Sequence, residues 1–561
     1  MLDRELLLEG VQGGDEVDAD ADQLSVQGLK IGQPGVQPGD FLRSGAVERS
    51  DERVQDDGAL SQKVGELDLL SAWRVQGEVR GLLPDVERKG WATQRHDGEG
   101  RDGNHAGETP SKHVVTSSSS ERRTPALRYS RRPLAALLIV TLLVVLSAVA
   151  FTWRPAIDPI DPPARSAFDD NLIRAGARLA AIGDCAGCHT THDGSPYAGG
   201  VPLKTPFGTI YGTNITPDAD TGIGTWSEEA FIRAMRQGIA RNGTHLYPAF
   251  PYVHFTRATD QDLKAVYAFL MTRTPVRGQP PANELHFPFN IRRLVAGWNL
   301  LFLDNDRFQA DSSRSEEWNR GAYLVQSFGH CSACHTPLNP LGAEKQRQYL
   351  SGGEAEGWYA PALNEQSPSP LPWEIGQLAT YLRTGIADQH AIAGGPMQAV
   401  VYSLARASAE DTNAIAAYIA SMMGGATPER EARARKSLDA ASRRPPPYSA
   451  AAMAITATQP GERIYLDACA SCHDEGRQLS SSGALQLPIA VAVHDPDPRS
   501  LIRIIREGIA PRENQRGRWM PAFAGMLTDE QITLLVQYLR MLAPDAPPWN
   551  DVASEVQKAK Q

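Results

Sequence analysis

The chain has 561 residues and six cysteines, and all six fall in one pattern repeated three times. Cys185-Ala-Gly-Cys188-His189, Cys331-Ser-Ala-Cys334-His335 and Cys469-Ala-Ser-Cys472-His473 each set two thiols three residues apart with a histidine directly after. This is the attachment pattern of c-type haem. Two thiols on one short turn add across neighbouring vinyl groups as thioethers, and the next imidazole reaches the iron as proximal ligand. A lone C-x-x-C pair has other uses, as a redox dithiol or half a zinc site. Three copies, always followed by His and with no cysteine left over, favour three covalently bound haem c groups. Cys185, Cys188, Cys331, Cys334, Cys469 and Cys472 would hold them, with His189, His335 and His473 on the irons.

A six-coordinate haem needs a second axial ligand, commonly Met or His. Met520 lies in RWMPAF, 47 residues after His473. Met397 lies in GGPMQAVV, 62 residues after His335. Both read as distal ligands. Met526, Met422 and Met423 read as packing residues. The first motif departs from this pattern. The position 61 residues after His189 is Phe250, in LYPAFPYVHF. Phenylalanine cannot bind iron. His254 is the tentative replacement, His245 the second choice and Met235 the last. A five-coordinate, open site is the remaining reading. Trp226, Trp298 and Trp519 read as ordinary haem-pocket or core packing.

Around each motif the sequence provides the same frame. A helical stretch runs into the cysteines at 171–184, 318–330 and 461–468. An apolar helix with an aromatic follows later: Tyr267 in DLKAVYAFL, Tyr418 in TNAIAAYIASM and Tyr538 in ITLLVQYLRML. The repeat has an unequal period. It predicts mainly α architecture: three tandem cytochrome c-type helical domains at 165–280, 313–430 and 455–545. The apolar segment 281–312 reads as a structured connector, and PPP at 445–447 marks a linker before the third domain.

Ahead of these modules, Leu134 to Trp153 is twenty residues without a charge. That length spans a hydrocarbon core. Five arginines between 122 and 132 precede it and hold its start in the cytoplasm. The expectation is a single transmembrane anchor at 134–153, with the modules on the periplasmic face of the inner membrane. A cleaved signal peptide is the other reading, with Ala148-Val149-Ala150 as the small-residue site. Pro155 to Pro163 reads as a stiff linker. Residues 1–113 show no sustained period and carry runs such as DEVDADAD, so disorder is expected. Either an acidic tail or a start assigned upstream of Val114 or Val115 fits. The second is favoured, because a tail before an export signal has no evident use.

The net charge of −10 argues against a nucleic-acid partner. Residues 1–113 hold 23 acidic and 13 basic side chains, so the whole imbalance sits there and the remainder is formally neutral. The charge therefore says nothing about the surface of the modules.

The strings GDCAGCHT, TPFGTIYGTNITPDADTGIGTWSEEAFIRAMRQGI, HLYPAFPY, RGAYLVQSFGHCSACHTPLNPLGA, GGPMQAVV and RWMPAFAGMLTDEQI cover much of 165–545. In their order they resemble the three-haem cytochrome c subunits of periplasmic membrane-bound dehydrogenases, which accompany alcohol, gluconate, sorbitol and aldehyde dehydrogenases. The PAFPY version, with ANELHFPFNIR and AGWNLLFL downstream, is similar to a branch that accompanies molybdenum hydroxylases such as nicotinate dehydrogenase and isoquinoline oxidoreductase. The resemblance implies a catalytic dehydrogenase partner of molybdenum hydroxylase, quinoprotein or flavoprotein type. It implies membrane quinone or a terminal oxidase as acceptor. The sequence shows no nucleophile–base pair, no phosphate loop and no nicotinamide or flavin fingerprint, so an electron-transfer subunit is expected, not an enzyme on its own. Two alternatives stand beside it: a peroxidase-like enzyme using the first haem, and a haem subunit of a terminal oxidase.

Overall fold

Each cysteine motif sits behind a crossing of two helices, and a glycine sets each crossing. A computed structural model describes residues 131–442, 457, 459–474, 484–511 and 519–560. The acidic segment 1–113 and the prolines at 445–447 lie outside the described residues. The apolar segment forms helix α1 (Arg131–Thr152, 22 residues). Counting only fully described residues, no helix is long and apolar enough to cross a membrane. In α1, residues 131–135, 138, 145 and 148 fall outside that count.

The first module runs through α2 (Asp170–Ile182), α3 (Glu228–Gln237) and α4 (Asp260–Met271). Asp169, Ser227 and Thr259 cap them, each side chain accepting from an amide of the first turn that would otherwise lack a partner. Between α2 and α3, β1 (Pro202–Thr205) and β2 (Gly208–Tyr211) pair antiparallel, Pro202 opposite Tyr211, and β3 (Glu284–Leu285) adds to β2. The connector then forms α5 (Val295–Phe302). Phe287, Leu300 and Leu301 of this segment are exposed rather than packed.

The second module repeats the plan with α6 (Glu316–Gln326), α7 (Ile375–Thr384), α8 (Pro396–Leu404) and α9 (Ala409–Met422). Its hairpin is β4 (Gly353–Ala355) with β5 (Trp358–Ala360). Helix α10 (Pro428–Ser442) leads toward the third module, which is built on α11 (Pro460–Ala468), α12 (Arg499–Glu507) and α13 (Asp529–Arg540). A last helix, α14 (Val552–Lys558), buries Val552 and Val556 against it.

In each module the helix before the cysteines crosses the final helix through a glycine. A Cβ on Gly176 would collide with the Ala265 carbonyl, on Gly321 with that of Ala414, and on Gly461 with that of Leu534. Side chains four residues further along cover the contact: Phe269, Tyr418 and Tyr538. The repeat therefore aligns Phe269, not Tyr267, with the other two aromatics. Tyr267 instead donates to the Trp226 carbonyl.

The three modules do not stand apart equally. The first two share one apolar core, with Phe255 against Phe328 at 6.0 Å and Tyr323 reaching Asp262 at 2.5 Å. The third has a core of its own. It docks on the second largely through polar contacts: Arg499 with Glu354, Ser500 Oγ to the Tyr359 carbonyl, and Arg503 to the Gly357 carbonyl. A buried large apolar side chain contributes about 1.5–3 kcal/mol, against about 1 kcal/mol for a typical hydrogen bond. The first two modules thus share one core, whereas the third is joined to the second by these polar contacts and a small apolar cluster of Leu371, Ala434 and Ile489.

The proline-rich stretch after α1 is docked, not free. Ile157 donates to the Arg241 carbonyl and Ile160 to the Thr225 carbonyl. Arg233 holds the Pro155 carbonyl at 2.8 Å.

Candidate haem centres

Each motif closes into a single helical turn: Cys185–His189, Ser332–His335 and Ala470–His473. The residue before the first cysteine takes a left-handed conformation in two of them, Asp184 (φ 44°) and His330 (φ 33°). That kink follows a glycine, Gly183 or Gly329, and swings the cysteines out of line with the preceding helix.

All three histidines are held alike. Nδ1 of His189 lies 2.5 Å from the Thr213 carbonyl, that of His335 2.6 Å from Pro361, and that of His473 2.8 Å from Leu485. A carbonyl oxygen only accepts, so Nδ1 must carry the proton. Burial lowers the pKa of each imidazole, and the carbonyl bond only partly opposes that. Each ring is thus neutral near pH 7, oriented by its second partner, with the Nε2 lone pair free for iron.

The thiols fit thioether attachment. All six are free. Burial pushes Cys185 and Cys331 up to about 12 and Cys334 to about 11, so the free thiols are protonated near pH 7. Among the described residues no three His, Cys, Asp or Glu side chains gather as a metal cluster. Two hairpin glycines let the backbone close over the second cysteine. A Cβ on Gly212 would strike the Cys188 carbonyl, and one on Gly353 the Cys334 carbonyl. The cradle is therefore repeated in backbone as well as in ligands, and it suits haem c, a one-electron carrier when bound.

Of the methionines expected as distal ligands, Met397 lies in the first turn of α8 and packs partly buried on the shared core. Met520 is fixed by a two-way backbone bridge with Ile509, at 2.8 and 2.9 Å, and packs on the third core. Phe250 occupies the corresponding loop of the first module, its ring 5.5 Å from Phe255.

The two histidines considered as replacements have other partners. His254 Nε2 meets Glu344 Oε1 at 2.7 Å, and its ring lies 6.2 Å from that of His330 in the second motif. It faces the neighbouring module, and iron binding through Nε2 would break that pair. His245 Nε2 donates to the Thr152 carbonyl at 2.9 Å, tying the end of α1 to the first module. Met235 and Met423 are buried in the core, in keeping with a packing role. The Met526 and Trp519 side chains are exposed among the described residues.

Sequence reasoning missed the reciprocal contact between the first two motifs. Ser403 of α8 donates to Asp184 beside Cys185. His254 and Phe255, in the loop helix Tyr252–Phe255, meet His330 beside Cys331. Each module's distal segment thus covers the other module's cysteine turn. The available signal was a polar residue, Asp184 or His330, after a glycine and directly before each motif. Glu344 was also missed, since an acid in a loop gives no sign that it will be buried.

Comparison with known proteins agrees with this geometry. The cytochrome c family model matches residues 173–274 and 319–423, and the model for cytochrome c oxidase, cbb3-type, subunit III matches 456–539. A nicotinate dehydrogenase subunit of Pseudomonas putida is 44% identical over 418 residues, 74% of this chain. The match spans only 34% of that protein's own length. The fructose dehydrogenase cytochrome subunit of Gluconobacter japonicus is 35% identical over 431 residues, covering 74% of this chain and 86% of the relative. The gluconate 2-dehydrogenase cytochrome c subunit of Pantoea cypripedii is 36% identical over 389 residues, 66% of this chain and 86% of the relative. With helical modules, cysteine turns and carbonyl-oriented histidines in common order, the chain belongs to the cytochrome c subunits of dehydrogenases, electron-transfer subunits rather than catalytic ones.

Proposed function

We propose that this chain carries three haem c groups and relays electrons from a catalytic dehydrogenase subunit to membrane quinone or a terminal oxidase. The observation that carries this reading is the threefold Nδ1-to-carbonyl bond behind each C-x-x-C-H turn. Cys185 and Cys188, Cys331 and Cys334, and Cys469 and Cys472 attach the haems; His189, His335 and His473 bind the irons. Met397 and Met520 supply the distal sulfur in the second and third modules. In the first, Phe250 leaves the sixth position without a sulfur ligand, and carbon monoxide binding by the reduced protein tests whether that position is open.

The match to the nicotinate dehydrogenase subunit favours a molybdenum hydroxylase as the electron donor over a quinoprotein or flavoprotein. Helix α1 anchors the chain in the inner membrane: its charge-free part, Leu134–Thr152, at ~1.5 Å per residue makes about 28 Å, close to a ~30 Å core. The arginines before it leave the modules in the periplasm.

The experiment is a haem count on the purified full chain by alkaline pyridine spectrum and intact mass. Three haems per chain are expected, and two after Cys472→Ser with His473→Ala. A wild-type count of two, unchanged by those substitutions, would remove the third site from the proposal.

A further inference from the structure

The connector between the first two modules exposes an unusual amount of apolar surface. Phe287 is 80% exposed, Leu300 71% and Leu301 67%, with Phe289, Ile291 and Leu294 beside them. The stretch 285–303 (LHFPFNIRRLVAGWNLLFL) contains two arginines and no acid. Large apolar side chains exposed side by side in this way mark an interaction site more often than scattered single ones do.

The patch lies against the end of α1 through a short chain of bonds. His245 Nε2 donates to the Thr152 carbonyl at 2.9 Å, Arg292 donates to the His245 carbonyl at 3.1 Å, and Tyr247 donates to the Phe289 carbonyl at 3.0 Å. Arg292 also stacks on the Tyr247 ring at 4.4 Å. The apolar face of the connector therefore continues the exposed apolar surface of α1 around its exit point. Trp153 is exposed there, and Arg154 caps the helix end by donating to the Phe151 and Trp153 carbonyls. Aromatic rings, arginines and leucines without acids are what an element lying in the headgroup boundary presents.

We infer that residues 287–301 form a second membrane contact, seated in the interfacial layer of the bilayer beside α1, with Phe287, Leu300 and Leu301 among the acyl chains and Arg293 at the anionic headgroups. The occupant is the phospholipid surface itself, not a protein. This deepens the membrane-anchored reading above and rests on it for the identity of the bilayer.

The test places a nitroxide at Leu300→Cys and Leu301→Cys in the full chain, reconstituted in phosphatidylethanolamine–phosphatidylglycerol vesicles. The thioether-bound cysteines do not react, and exposed positions tolerate the label. Collision with dissolved oxygen and with a water-soluble nickel chelate is measured, with Asp193→Cys as the aqueous reference. The oxygen-to-nickel ratio at 300 and 301 is expected well above that at 193, as apolar oxygen concentrates in the bilayer and the nickel chelate stays in water. A ratio equal to that at 193 puts the face in water and overturns the inference. Protection from both reagents means that a second copy of the chain covers it, and overturns it equally. A label at Val140→Cys reads the anchor separately. If that site meets nickel while 300 and 301 do not, the anchor reading fails and the connector contact stands.

Discussion

Removing the His254 imidazole should destabilise the joint between the first two modules without touching any iron. Both partners of the His254–Glu344 pair are only 9% exposed, and their atoms meet at 2.7 Å. Substituting His254→Ala leaves a buried carboxylate short of one partner. A hydrogen bond to a charged group contributes about 1.5–3 kcal/mol, and breaking a buried pair costs about 3–5 kcal/mol when nothing else serves the charge. Ser332 also bonds Glu344, so the lower part of that range applies, about 2–3 kcal/mol. The pH dependence gives a second readout. Burial pushes the Glu344 carboxyl up, but the bonds from His254 and Ser332 win and hold it below its ordinary value of 4.5. A depressed acid contributes stability that is present above 4.5 and lost as pH falls through the folded value. Without His254 burial dominates, the carboxyl rises, and stability instead declines as pH rises. Urea unfolding between pH 4 and 8, with Glu344→Gln and the double variant completing a cycle, measures both effects. A variant with unchanged stability but an altered low-spin spectrum of one haem would refute this reasoning and restore His254 as an iron ligand.

Three further outcomes follow from local features. Gly321→Ala forces a Cβ into the Ala414 carbonyl and should cost about 1–3 kcal/mol, whereas Gly376→Ala in α7 meets open space and should gain about 0.4–1 kcal/mol; thermal melts of the two variants compare them directly. Asp495 is buried with one carboxylate oxygen lacking a partner among the described residues, and burial raises its pKa well above 3.8. A raised acid gives stability that is full below 3.8 and lost as pH rises through the folded value, so Asp495→Asn should gain about 1–2 kcal/mol at pH 8 and nothing at pH 3.5, read by urea melts of the third module. Met520→Ala should lower the potential of one haem only, with all three still attached; a spectroelectrochemical titration in which no component moves would show that Met520 is not a ligand.

The cysteine turns were legible because covalent attachment needs fixed residues at fixed spacing, and the helices around them because their apolar period is strong. The way the modules pack was not. Gly176, Gly321 and Gly461 carry no distinguishing signal in the sequence, and only the crossing shows that each marks a backbone contact. The shared core of the first two modules depends on Phe255, Phe328 and Tyr323, which any single module could also have buried internally. His254 reads as a replacement ligand from local spacing, whereas its contact with Glu344, 90 residues away, has no signal in the sequence. The connector was legible as structure but not as surface, since apolar composition alone does not say which side meets protein.

The docked stretch after α1 has a mechanical consequence. Thr152, Pro155, Ile157 and Ile160 are each hydrogen-bonded to the first module, which couples the end of α1 to that module. A tethered carrier that swings between donor and acceptor needs a loose hinge at that point, and here the hinge is sewn down. That favours a stationary relay, to which a partner comes.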